Sequence, residues 1–131
     1  MEQMKRNDYY IALRSIDSKD AEFLMKLNND PETAKYVVGN PKQVTLQKQL
    51  IWMEKIKTEE NTKRFIIECS GKPVGTIIIS EINMSNLTAN LNIKLDSSSR
   101  GKGIGKKSIR IILPYCFEEL GIYCVTAHIL S

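Results

Sequence analysis

Apolar residues recur with two different periods along this chain, and together they predict a domain that contains both strands and helices. In the segment 88–95 every second residue is apolar, as expected for a strand with one buried face. These apolar residues are Ala89, Leu91, Ile93 and Leu95. Further on, a spacing of three and four residues predicts an amphipathic helix, in which Pro114 predicts a kink. The apolar residues of that helix are Ile109, Ile112, Leu113, Cys116, Phe117 and Leu120.

The first half of the chain contains shorter signals of both kinds. A strand is predicted at 10–16, with Ile11 and Leu13 on its buried side, and Asp17 with Asp20 marks the start of a helix. That helix has an apolar face formed by Phe23, Leu24 and Leu27.

Three further elements follow. Thr45 is a suitable N-cap for a second helix, whose buried face is expected to consist of Leu46, Leu50, Met53 and Ile56. The segments 64–69 and 74–82 are rich in β-branched residues and flank the turn residues 70–73, which predicts an antiparallel hairpin. A last strand is predicted at 122–130.

Composition indicates one globular domain that spans residues 1–131. Hydrophobic residues make up 42% and charged residues 26%, which excludes disordered and collagen-like chains. The three cysteines include no CxxC pair, so we expect reduced thiols and no metal site. No apolar run suits a signal peptide or a membrane span, so we expect a cytoplasmic protein without a membrane partner.

The segment 96–105 joins the clearest strand to the clearest helix and is dense in glycine. Around it, five of the 19 basic residues fall within eleven positions: Arg100, Lys102, Lys106, Lys107 and Arg110. The first amides of a helix lack intrahelical acceptors and lie at the positive end of the helix dipole, so they bind anions. The pattern predicts a polyphosphate ligand, and an ordinary glycine-rich connection on a basic surface is the plainer alternative.

Two common phosphate loops do not fit this segment. A Walker loop would need glycine at position 100 and serine or threonine at 107, but the chain has Arg100 and Lys107. The dinucleotide fingerprint needs GxGxxG in an early βαβ unit, whereas these glycines follow a GxGxG spacing late in the chain.

The segment resembles the pyrophosphate loop of the GNAT acetyltransferase superfamily, which has Arg or Gln, two residues, Gly, one residue, then Gly or Ala. Arg100, Gly103 and Gly105 match this pattern. The similarity extends over about residues 10–130, toward ribosomal-protein, spermidine and aminosugar N-acetyltransferases. It implies an α/β acetyltransferase fold with a mixed, mainly antiparallel sheet flanked by helices. Other segments that carry it are Leu13-Arg14, Asp20, Asn28 to Glu32, Trp52, Gly75, 81–83 and Phe117 to Gly121.

The resemblance also implies a site for acetyl-CoA as the acetyl donor. Loop amides would bind its pyrophosphate, and the backbone of the preceding strand would pair with the pantetheine arm, where that strand diverges from the last one. The implied loop residues are Arg100, Gly101, Lys102, Gly103, Ile104, Gly105 and Lys106, and the implied strand residues are Ile93, Lys94 and Leu95.

Direct attack of an amine on the thioester is the implied reaction, and it needs a group that removes the amine proton. Glu81, at the end of a predicted strand, is the candidate base, with a surface carboxylate as the alternative. Many members of the family have Glu where this chain has Asn90, and an amide cannot accept a proton.

The implied acceptor is an amino group of a peptide, protein or aminosugar. A polyamine is expected less, because spermidine enzymes usually have acidic residues where this chain has Val38, Gly39 and Asn40, and because a net charge of +4 does not attract polycations. The alternatives are a non-catalytic CoA-binding or regulatory module, a truncated inactive acetyltransferase and, least favoured, a nucleic-acid-binding domain.

Members of the family continue past the position of Ser131 with a helix and closing strands. We therefore expect the C-terminal strands of the fold to be missing and the strand 122–130 to have an open edge. Such an edge pairs readily with another chain, so the chain is expected to form a homo-oligomer.

Overall fold

The structure, a computed structural model, describes residues 10–29 and 45–130, which form a five-stranded sheet with helices on both faces. The strands are β1 (Ile11–Ser15), β2 (Lys63–Cys69), β3 (Lys72–Asn83), β4 (Thr88–Leu95) and β5 (Cys124–Leu130). The helices are α1 (Ala21–Asn29), α2 (Leu46–Ile56) and α3 (Ile104–Pro114), with shorter turns at Ser18–Asp20, Ser97–Ser99 and Tyr115–Glu119. Within these residues no helix has the length and apolarity needed to cross a bilayer.

The strands lie in the sheet in their order along the chain. β1 to β4 are antiparallel neighbours and β5 is parallel to β4, which confirms the predicted mixed, mainly antiparallel sheet. The expected divergence of β4 from the last strand does not occur within the described residues. Their pairing runs without a register shift from Thr88 opposite Cys124 to Lys94 opposite Leu130.

Two apolar clusters pack against the two faces of the sheet. The buried side chains of β4 pack with α3 and the turn that follows it, around Ile104 and Cys116. On the other face, Ile66 of β2 packs with Leu24 of α1 and Met53 of α2. Since side chains alternate along a strand, the polar side chains of β4 point to this second face. The alternation predicted for 88–95 is confirmed.

α2 buries a different stripe from the one that its sequence predicts. Met53 is buried as expected, but Leu46 and Leu50 are 45% and 43% exposed, while Gln49 is buried. The Gln49 side-chain oxygen accepts a hydrogen bond of 3.2 Å from Nδ2 of Asn28 on α1. This bond satisfies the buried amide oxygen, which lowers the cost of turning a polar residue inward.

Two predicted helix starts are confirmed. The Thr45 hydroxyl accepts a hydrogen bond from a first-turn amide of α2, and Asp17 and Asp20 form a capping box before α1. Asp20 is buried and accepts two hydrogen bonds from Arg14, of 2.7 and 2.8 Å, while Arg14 also pairs with Glu68. Burial alone would raise the pKa of Asp20, but the hydrogen bonds from Arg14 and the Asp17 amide outweigh it and lower that pKa.

The helix α3 changes its type at Pro114. A proline lacks the amide hydrogen that the α-helical pattern requires, and the chain continues as one turn of π-helix, Tyr115–Glu119. The predicted kink thus takes the form of a wider turn. Cys116 remains buried there, but Phe117 is 45% exposed although helical spacing placed it on the buried face.

Candidate functional site

The glycine-rich loop runs from the end of β4 to the start of α3. After a short turn at Ser97–Ser99, Gly101 and Gly103 adopt φ angles of 76° and 78°. Side chains with a Cβ are strained at such angles, which explains the glycine at both positions. Gly103 is the N-cap of α3, and Ile104 and Gly105 are buried in its first turn.

Basic side chains lie around the entrance of α3. Gly103 provides no capping side chain, and the first turn contains no acidic residue. Lys102, Lys106 and Arg110 are exposed near this end. Cations beside the positive end of a helix dipole are mildly unfavourable, so a bound anion would offset their repulsion and accept hydrogen bonds from the helix-terminal amides. The structure brings the predicted loop residues together in a geometry that suits phosphate.

Arg100 connects this loop to the end of β4. Its Nε donates a hydrogen bond of 3.2 Å to the carbonyl oxygen of Leu95. The contact holds the loop across the last residue of the strand, so the strand end and the helix entrance form one unit.

The backbone groups of β4 at Ile93, Lys94 and Leu95 do not all face the same neighbouring strand, and their pairing with a pantetheine arm stays a prediction. The Asp96 amide donates to Val74 of β3 at 2.8 Å, and backbone groups of successive strand residues point to opposite sides. Lys94 therefore also faces β3, whereas Ile93 and Leu95 face β5. Ile93 is paired with Ile129 of β5, and the described ladder ends where Lys94 lies opposite Leu130, next to Leu95.

Glu81 lies in a bulge at the other end of this site, where the pairing of β3 with β4 shifts between Ser80 and Asn83. Its φ of 51° is unusual for a residue other than glycine. The Glu81 Oε1 accepts a hydrogen bond of 2.8 Å from Nδ2 of Asn90. The candidate base and the amide that replaces the family's Glu thus form one pair. Asn90 and Leu95 are five residue steps apart along β4, which corresponds to about 17 Å.

Polar side chains continue along the same face of β4 from this pair toward α1. Asn92 donates to the Ser80 hydroxyl at 3.4 Å, and Lys94 Nζ donates to Oδ1 of Asn28 at 3.5 Å. Burial, and then the charge of Arg64, lower the pKa of Lys94. The alternation in the sequence predicts a polar face but does not show that α1 and α2 cover part of it. Among residues 10–29 and 45–130, no group of His, Cys, Asp and Glu side chains could hold a metal ion.

Comparisons with known proteins place this site in a family. A family model described as "Acetyltransferase (GNAT) domain" matches residues 11–131. Spermidine N(1)-acetyltransferase of Escherichia coli (strain K12) is 23% identical over 113 residues, which cover 86% of this chain and 60% of that protein. Uncharacterized N-acetyltransferase p20 of Bacillus licheniformis is 25% identical over 123 residues, which cover 91% of this chain and 69% of that protein. The chain spans 60% of the length of the Escherichia coli relative.

Solved structures agree with the family match. The spermidine N-acetyltransferase from Vibrio cholerae in complex with CoA and spermine has a TM-score of 0.78 at 22% identity, over 89% of this chain and 69% of that one. A dodecameric structure of the Vibrio cholerae enzyme has a TM-score of 0.74 at 21% identity, over 89% of this chain and 68% of that one. At these identities the likeness shows a shared fold. The family model matches nearly the whole chain, residues 11–131, and on that ground the chain belongs to the GNAT acetyltransferase family.

Proposed function

We propose that this chain binds acetyl-CoA and carries out N-acetyl transfer to a primary amine. The observation that supports this most is the entrance of α3, where two glycines with positive φ, a helix N-terminus and a basic cluster meet at the end of β4. Acetyl-CoA supplies an activated thioester that an amine can attack. The chain's own residues must hold the donor, position the amine and take up its proton.

The loop has the shape and charge to hold the pyrophosphate of acetyl-CoA. Nothing lies within 4 Å of the place where a Cβ would stand at Gly101 or Gly103, so phosphate oxygens can approach the backbone closely. Amides of residues 100–106 would donate to these oxygens, and Lys102 and Lys106 would add positive charge. Of the three predicted strand residues, Leu95 ends β4 and lies next to this loop.

Glu81 is the proposed base. Asn90 donates a hydrogen bond to Oε1 and leaves Oε2 to accept the amine proton, directly or through a water molecule. In this arrangement Asn90 does not replace the base. It positions a carboxylate that a neighbouring strand supplies.

Spermidine is the first acceptor to test, because relatives in two bacterial species are named spermidine N(1)-acetyltransferases. The preference for a peptide or aminosugar acceptor finds no support in these names. It relied partly on residues 38–40, which lie outside the described residues.

Thermal unfolding with acetyl-CoA tests the donor site. Ligand at a hundred times its Kd stabilises a protein by about 2.7 kcal/mol. For 131 residues, with an unfolding entropy of about 2.1 cal/mol/K per residue, this raises the Tm by about 10 °C. Gly103→Glu should abolish the shift, because the new carboxylate occupies the phosphate position with the same charge sign.

Gly71→Glu is a matched control for that variant. Gly71 has a φ of 88° and open space around its Cβ position, but it lies in the turn between β2 and β3. The control should keep the full shift. The absence of any shift in the unsubstituted protein would contradict donor binding, and a shift without thiol release from acetyl-CoA with spermidine or other amines would identify a non-catalytic CoA-binding module.

We also propose that the outer edge of β5 supports self-association. β5 is the last strand of the described sheet, and Tyr123 before it is 83% exposed. A related Vibrio cholerae enzyme has a dodecameric structure. Light scattering coupled to size exclusion should give a mass above 14.9 kDa, and a stable, active monomer would contradict the proposal.

A further inference from the structure

A small pocket lies between α1, α2 and the polar side of β4. Its volume is about 80 Å³, and no residue of the glycine-rich loop lines it. Aliphatic side chains of α1 and β3 form part of its wall. The remaining lining residues include Asn28, Trp52, Arg64, Thr76 and Lys94.

Lys94 brings a partly buried ammonium group into this pocket without a counterion. Its Nζ donates to Oδ1 of Asn28 at 3.5 Å, and no carboxylate within the described ranges forms an ion pair with it. A charge removed from water is strongly unfavourable unless an opposite charge accompanies it. A bound anion would supply that charge.

Thr76 provides a second donor that points into the same pocket. Its side chain is 5% exposed, and its hydroxyl makes no hydrogen bond to any residue that the structure describes. Buried hydroxyl groups in folded proteins nearly always have a partner. An unpartnered hydroxyl beside an unpaired ammonium indicates that a ligand oxygen belongs between them.

Arg64 makes one wall of the pocket positive. Its guanidinium lies over the Trp52 ring, with Cζ 4.9 Å from the ring centroid, and its Nε pairs with Glu59 at 3.0 Å. Glu59 does not line this pocket, so no side chain of residues 10–29 and 45–130 compensates the charge of Lys94 inside it.

We propose that this pocket binds a small carboxylate, with its oxygens on Lys94 Nζ and Thr76 Oγ1 and its short alkyl chain against the aliphatic wall. A volume of about 80 Å³ suits a carboxylate group with a short alkyl chain. The carboxylate belongs either to a free small molecule or to an acceptor that also carries an amine. The proposal does not depend on the acetyl-transfer function.

Fluorescence of Trp52 gives a direct readout, because this is the chain's one tryptophan and it lines the pocket. Butyrate should change the emission in a saturable way, whereas butylammonium chloride at equal ionic strength should not. Lys94→Met should weaken butyrate binding about tenfold or more, and Thr76→Val several-fold, because each removes one donor to the carboxylate. Lys72→Met removes the same charge from an exposed site and should leave binding unchanged.

Thermal unfolding without ligand separates a binding role of Lys94 from a structural one. If the ammonium serves a ligand, Lys94→Met should be at least as stable as the unsubstituted protein, because it removes an uncompensated buried charge. A clear fall in Tm would show that Lys94 supports the fold and would overturn the proposal. The proposal is equally overturned if butyrate gives no saturable signal, or if Thr76→Val and Lys94→Met bind it normally.

Transfer assays distinguish the two sources of the carboxylate. If it belongs to the acceptor, 4-aminobutyrate should have a lower KM than butylamine, and Lys94→Met should remove the difference. If it belongs to a separate molecule, butyrate should bind with the two KM values equal. Inactivity of the chain with every amine would refute acetyl transfer and leave the fluorescence result unaffected.

Discussion

Gly75 of β3 leaves almost no space for a single added methyl group. Its Cβ would lie 2.1 Å from the carbonyl oxygen of Lys94 and 2.8 Å from a methyl carbon of Leu95. Real Cβ atoms essentially never come closer than 3.0 Å to another heavy atom. Gly75→Ala would therefore force β3 and β4 apart by about 0.9 Å, directly beside the strand end that leads into the glycine-rich loop.

Taken at the middle of their ranges, the three contributions below give a loss of about 3 kcal/mol for Gly75→Ala, and we expect a measured value of about 2 to 4 kcal/mol. Overpacking costs about 1–3 kcal/mol, and two weakened backbone hydrogen bonds cost about 1–3 kcal/mol. The lower entropy of the unfolded alanine chain returns about 0.4–1 kcal/mol. With an unfolding entropy of about 275 cal/mol/K for 131 residues, the Tm should fall by about 7–15 °C.

Thermal unfolding followed by circular dichroism measures this loss, and Gly71→Ala is the matched control. Gly71 has a φ of 88° but nothing within 4 Å of its Cβ position. Its replacement adds backbone strain of about 1 kcal/mol, which lowers the Tm by about 4 °C. A Gly75→Ala protein as stable as the Gly71→Ala protein would refute the reasoning that close strand contact requires the glycine.

Three other outcomes are expected. Asp20→Asn should reduce the dependence of the unfolding free energy on pH at acid pH. A carboxyl whose pKa is lowered by folding contributes stability above its ordinary pKa of 3.8, and this contribution is lost as the pH falls below that value. Urea unfolding from pH 3 to 7, a range of about four units, would contradict this if the unfolding free energy of both proteins changed equally with pH. Met53→Ala should lower the free energy of unfolding by about 2–5 kcal/mol, and Leu50→Ala should change it by no more than about 0.5 kcal/mol. Equal losses in urea unfolding would contradict the finding that α2 buries Met53 and exposes Leu50. Asn90→Ala should lower the rate of acetyl transfer about tenfold by releasing Glu81, with the acetyl-CoA-induced Tm shift unchanged; an unchanged rate would exclude the positioning role.

The strongest features of the fold are predictable because they depend on local periodicity and turn chemistry. The alternation of β4, the caps at Thr45 and Asp17, and the glycine-rich entrance of α3 each depend on residues close together in sequence. Such patterns predict the local structure correctly, because the element or cap forms without a contact to a distant residue.

The features that the sequence does not predict are contacts between elements that lie far apart along the chain. The buried amide oxygen of Gln49 accepts its hydrogen bond from Asn28, 21 positions earlier, and no period within α2 contains that information. The polar face of β4 looks solvent-exposed in the sequence, yet α1 brings Asn28 within 3.5 Å of Lys94. The pairing of Asn90 with Glu81 depends on a bulge in β3 that re-aims the carboxylate.

The crossover from β4 through the glycine-rich loop and α3 to β5 also determines when the donor site forms during folding. β2, β3 and β4 are joined by short turns, whereas the parallel partner of β4 comes after the whole of segment 96–123. Pairings across long segments form late, because closing a longer loop costs more chain entropy. The loop acquires its anion-binding geometry when α3 docks, so acetyl-CoA should slow unfolding without accelerating folding. Protection from hydrogen exchange should then increase most in α3 and β5.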